Sequence, residues 1–236
     1  MYQDSQAYCM VVSLCAYMLI QPNMQLPASL ISGSTVVGSS TALGTTLLSD
    51  VLEIRKTIDP YENPSVQAVR TSFFLFGSYF CLEKQSTAWA YLRDATTVAL
   101  LLGMHHENNY TKLSQPEADL RRSLYWLLYV TERAYALQAQ RPLTLYDTIG
   151  LPVSREGAGE DTKKTVGFIH LISLYKPFDH TFVGLWNQSI ENGTTAEWIC
   201  NLQRQLSEAL PEYLGSTEIQ AVDLKTSQQW LRVMIW

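Results

Sequence analysis

The chain has 236 residues, 47% hydrophobic and 17% charged, which suffices for a sizeable core and is too apolar for a disordered polymer. A net charge of -5 argues against a surface built to grip phosphates, and twelve glycines with nine prolines argue against a loop-dominated or fibrous chain. Cys9, Cys15, Cys81 and Cys200 form no Cys-x-x-Cys pair, so they read as free thiols of a reducing compartment rather than as a zinc ribbon, a redox site or a disulfide framework.

Residues 4–20 predict a hydrophobic helix stopped by Pro22. Its apolar run, Cys9 to Ile20, falls short of the roughly 20 residues that span a bilayer and has no basic leader, so it reads as a core helix. Residues 21–43 are a Ser/Thr/Gly/Pro-rich connector. Leu47, Leu48, Val51, Leu52, Ile54 and Ile58 predict an amphipathic helix over 44–58, closed by Asp59-Pro60. Asn63 and Pro64 read as cap and first residue of the next helix, which reaches about Lys84 and is apolar on most sides.

Ser86 is placed to cap a helix over 87–104, and Ser114 with Glu117 reads as a capping box for the most hydrophobic helix, 115 to about 140. That helix ends at Arg141-Pro142, and residues 150–164 form a polar loop. Helices follow at 165–176 and, weakly, at 181–190. Thr194 and Glu197 make a second capping box, with Trp198, Leu202, Leu206 and Leu210 on one stripe behind it. A final helix runs from about Ser216 to Trp236, and its apolar end reads as part of a longer chain. No segment alternates with period two, so the expected fold is an all-α orthogonal multi-helix bundle over residues 1–236, as one domain without a visible boundary.

Catalytic motifs are missing. There is no Asp-rich metal motif, no Gly-rich phosphate loop and no Gly-x-Ser-x-Gly elbow. His105-His106-Glu107 reads as a polar helix end, because adjacent helical side chains diverge and no third ligand has the right spacing. The sequons at Asn109, Asn187 and Asn192 read as chance. Charge is what stands out: Glu132-Arg133 and Arg93-Asp94 sit inside apolar helices. Buried ions need partners, and sequence neighbours on a helix do not face each other. The expectation is that Asp94 meets Arg133 across a helix pair while Glu132 faces another donor. Arg121 is spaced to pair with Glu117, beside Arg122 on the same turn, and Arg141 to meet the last carbonyls of its helix.

Residues 87–107 (TAWAYLRDATTVALLLGMHHE) and 121–152 (RRSLYWLLYVTERAYALQAQRPLTLYDTIGLP) resemble the fungal-specific transcription factor domain, the middle homology region of zinc-cluster regulators. The second segment carries the family pattern in Arg121 or Arg122, Tyr125-Trp126, Glu132-Arg133, Arg141-Pro142 and Leu151-Pro152. The wording resembles regulators of maltose, starch and related sugar metabolism. The resemblance implies an all-α nuclear regulatory domain, following a DNA-binding zinc cluster and answering to a small-molecule inducer, a coregulator protein or a second copy. Four dispersed cysteines cannot make that cluster, so no cofactor, no direct nucleic acid binding and no membrane contact are expected of this chain. In the leading reading Arg93, Asp94, Glu132 and Arg133 fix helix register in a switchable bundle. The alternatives are a relative repurposed as a small-molecule binder or enzyme, and a dimerisation or corepressor scaffold along Trp198, Leu202 and Leu206.

Overall fold

The computed structural model describes residues 2–22, 39–153, 159–187, 196–212 and 214–235. All regular structure among them is helical, and no described helix is long and apolar enough to cross a membrane. The chain divides into two compact units, Met1–Met104 and His105–Trp236, at a point where composition marks no boundary.

The first unit contains α1 (Tyr2–Ile20), α2 (Ser40–Arg55), α3 (Val66–Cys81) and α4 (Gln85–Leu101), with α1 against α2 and α3, and α3 against α4. Cys9, Ala16 and Ile20 meet Leu48, Val51 and Leu75 in its core. The α1–α2 approach depends on Gly44: a Cβ there would lie 2.6 Å from Ile20 Cγ1 and 3.0 Å from the Ala16 carbonyl oxygen. Two predicted caps are displaced. Ser65, not Asn63, caps α3 by accepting from the Ala68 amide, so Pro64 lies before the helix. The helix α4 begins at Gln85 with no side-chain cap, and Ser86 is already inside it. Most of the 21–43 connector lies outside the described residues, although α2 begins four residues earlier than predicted, capped by Ser39.

The second unit contains α5 (Glu107–Tyr110), α6 (Gln115–Ala139), α7 (Glu160–Tyr175), α8 (His180–Trp186), α9 (Ala196–Glu208) and α10 (Glu218–Met234). The long helix α6 is its centre, packed by α7 and α8, while α10 packs on α7 and α9. Ser114 precedes α6 without a side-chain cap bond, and Glu117 is engaged with Arg121 at 2.6 Å. The Thr194 capping box lies outside the described residues, but α10 carries one, between Thr217 and Gln220. Leu202 and Leu206 are buried, so that stripe is core and not a free docking face; likewise Leu231 and Ile235 pack inward at the end of α10. Between α6 and α7 the described chain from Arg141 to Val153 has no regular secondary structure, and this extended strap carries the site.

Candidate functional site

The strap begins with a forced turn. Gln140 adopts a left-handed conformation (φ 51°) that ends α6, the Arg141 amide closes on the Ala136 carbonyl at 3.3 Å, and Pro142 prevents the helix from resuming. An irregular segment against a buried helix must satisfy its main-chain polar groups without a ladder. Here side chains of α6 do so, one after another.

Glu132 and Arg133, 3% and 1% exposed, hold its first half. Glu132 Oε1 accepts from the Thr144 amide at 2.8 Å and from the Thr144 hydroxyl, and Oε2 accepts from the Leu145 amide at 2.9 Å. Arg133 Nη2 donates to the Leu145 carbonyl at 3.1 Å and Nη1 to the Tyr129 carbonyl at 3.3 Å, with the guanidinium over the Tyr129 ring. Burial pulls the Arg133 guanidinium below its usual range, against the pull of Tyr129 and Glu132. Two adjacent charges thus point to separate partners, as their helical spacing requires.

Further along, the Tyr125 hydroxyl donates to the Tyr146 carbonyl at 2.7 Å and the Trp126 indole to the Gly150 carbonyl at 2.9 Å. Arg122 reaches the same Gly150 carbonyl at 2.8 Å and is held two-pronged by Glu107, whose Oε2 also accepts from the Gly150 amide. The guanidinium of Arg122 drives the Glu107 carboxyl below its usual range, with the Gly150 amide helping. Thr148 donates to the His105 carbonyl. From the other side, His180 stacks on Tyr146 (centroids 3.9 Å, planes 10° apart), its Nε2 lying 3.3 Å from the Leu145 carbonyl. Pro152 is buried, whereas Pro142 and Leu151 are exposed.

The structure corrects the expected partner of Asp94. In the first unit Asp94 pairs with Arg55 rather than Arg133, and also accepts from Ser72 and, at 2.5 Å, from Tyr61. That last bond, more than burial, pushes the Tyr61 phenol up to about 12. Arg93 is half-buried on the same helix. The residues that sequence reasoning misses are Arg55, Tyr61, Ser72, Glu107, Thr144 and His180. None carries a local signal, because each is recruited through tertiary packing.

Cys9 is buried and Cys15 exposed on α1, Cys200 is exposed on α9, and among the described residues no three His, Cys, Asp or Glu side chains gather as a donor set. Glu107 is engaged by Arg122, so His105-His106-Glu107 is structural.

Comparison with known proteins supplies the context. The family model for the fungal specific transcription factor domain matches residues 8–179. The maltose fermentation regulatory protein MAL13 of Saccharomyces cerevisiae is 24% identical over all of this chain and 48% of its own length. The respiratory transcription factor ZNF1 of the same yeast is 23% identical over all of this chain and 49% of itself, and the probable sucrose utilization protein SUC1 of Candida albicans is 24% identical over 80% of this chain and 38% of itself. The chain therefore spans half or less of the length of these relatives. No solved structure matches it.

Proposed function

The chain belongs to the fungal specific transcription factor domain family, and on that premise we propose that it is the effector-responsive part of a nuclear regulator of sugar metabolism. Its relatives are named as a maltose fermentation regulatory protein, a respiratory transcription factor and a probable sucrose utilization protein. Contact with DNA is assigned to another part of the whole protein, since these residues offer no zinc cluster and the balance of charge is acidic.

What carries the reading is the clasp. Tyr125, Trp126, Glu132 and Arg133, all buried on α6, each bond the main chain of a segment that has no secondary structure of its own. Such a segment has two natural states, gripped and released, because the bonds form together or leave several buried groups unpaired together. An inducer that prefers one state shifts the population by its difference in affinity, and the activity of the regulator follows. Glu132 and Arg133 are the latch of this switch; Asp94 with Arg55 fixes helix register in the other unit.

The test is a transcript measurement in the source organism. With Glu132→Ala in the full-length regulator, target genes are expected to lose their dependence on maltose or sucrose, either silent or constitutive, while the protein still accumulates. Normal induction by both sugars would overturn the reading.

A further inference from the structure

The second unit contains a cleft of about 550 Å³ where the end of α7, the start of α8 and one face of α9 converge. It is lined by Lys176, Asp179, Trp198, Asn201, Gln205 and Glu208 among others. Small-molecule sites run from roughly 300 to 1,000 Å³ and are mostly apolar, so the size is ordinary and the lining is not. We propose that this cleft binds a neutral, hydroxyl-rich ligand of disaccharide size. The proposal rests on the reading of the chain as sugar-responsive and adds the place and chemistry of recognition.

Three features point to that class. Sugar hydroxyls both donate and accept, and the lining carries both kinds of group: the amides of Gln205 and of Asn201, whose Oδ1 also accepts from Arg204 at 2.8 Å, the carboxylates of Asp179, which also caps α8, and of Glu208, which also pairs with Arg204, and the Lys176 ammonium. Trp198, which stacks on Phe182 with centroids 5.8 Å apart, lines the cleft with an aromatic side chain of the kind against which the apolar C–H face of a pyranose packs. Charge disfavours an anion. The named lining carries two carboxylates, Asp179 and Glu208, against the Lys176 ammonium, which is itself 3.7 Å from Asp147, so no surplus positive charge awaits a phosphate.

The cleft also adjoins the clasp. Lys176, on its wall, lies 5.3 Å from the Trp126 ring and pairs with Asp147 of the strap. Asp179, on the same wall, is followed by His180, which stacks on Tyr146 of the strap. A ligand that repositions Lys176 or the start of α8 therefore acts on the strap directly.

The probes are maltose and sucrose, with glucose 6-phosphate as the anionic control, and the readouts are melting temperature and calorimetric Kd of the chain. A ligand confined to the native state raises the melting temperature. Either disaccharide is expected to do so, and Asn201→Ala with Gln205→Ala, both away from the buried core, is expected to weaken binding about tenfold or more at an unchanged circular dichroism spectrum. If the double variant does not fold, Gln205→Ala alone serves, with a smaller loss. Equal binding by wild type and variant would overturn the cleft while leaving sugar response intact. Stronger binding of glucose 6-phosphate, or no binding of either disaccharide at millimolar concentration, would overturn the ligand class; the regulatory reading is then judged separately by the Glu132→Ala transcript measurement.

Discussion

Glu132 engages two successive amides and a hydroxyl in the core. Glu132→Ala orphans the Thr144 and Leu145 amides, and the expected loss is about 3–5 kcal/mol in urea unfolding, the scale for breaking a buried charged network. Arg133→Met should cost clearly less, because it removes a buried charge with similar volume and leaves a carbonyl rather than two amides unsatisfied. Equal losses would mean that the carboxylate is not the principal latch. The tyrosines give an alkaline signature. Burial pushes the Tyr129 phenol up to about 12, and the bond to Asp94 does the same for Tyr61. A raised folded-state pKa favours the neutral phenol, so this stability is present below the ordinary value of 10.0 and is lost as pH climbs through about 12. Phenolate absorbance should show a group of late-titrating tyrosines that includes Tyr61, Tyr110 and Tyr129, and Asp94→Asn should bring Tyr61 down. At the acid end the sign is opposite. The depressed Glu107 carboxyl supports the clasp above 4.5, its ordinary value, and releases Arg122 and Gly150 as pH falls below it.

Helix packing in the first unit turns on one small residue. In isolation Gly44→Ala would favour α2 by up to about 1 kcal/mol through helix propensity. Here the added methyl meets the Ala16 carbonyl at 3.0 Å, which belongs to backbone and cannot step aside, so the expected net effect is destabilisation of about 1–3 kcal/mol. At the end of α6 the sign reverses. Gln140 stands in the left-handed region, and Gln140→Gly should gain a few tenths to about 1 kcal/mol in the same unfolding measurement. Helix positions are legible in the sequence because burial imposes its period, as in α1 and α6. Caps are less so: Asn63 and Ser65 are chemically equivalent candidates two residues apart, and only the path of the chain decides between them. The Ser114–Glu117 box looked complete in sequence, yet Arg121, one turn on, took its acid.

At the scale of the whole molecule, the all-α class followed from spacing alone, while the division at Met104 did not, since Gly103 with its positive φ and the polar residues after it resemble any other helix end. Long-range partners were equally hidden. Placing charges in apolar helices indicates that each needs a counterpart, but Asp94 chooses Arg55, 39 positions away, through geometry that no local pattern encodes. The family signature on α6 was visible as letters and acquires its reason only when the strap is seen beneath it. If each unit is organised by its own core, amide exchange should localise the damage: Gly44→Ala is expected to lower protection chiefly in Met1–Met104, and Glu132→Ala chiefly in His105–Trp236. Uniform loss across the chain from either substitution would show that the division has no energetic meaning.

Much of the grip on the strap falls on its amides and carbonyls, which nearly every residue type shares. One residue type is nevertheless forbidden at particular places. Prolines stand at 142 and 152, and none between them. Thr144, Leu145 and Gly150 each donate an N–H that proline lacks, so in a proline walk through this stretch these three positions are expected to be intolerant through the lost amide alone.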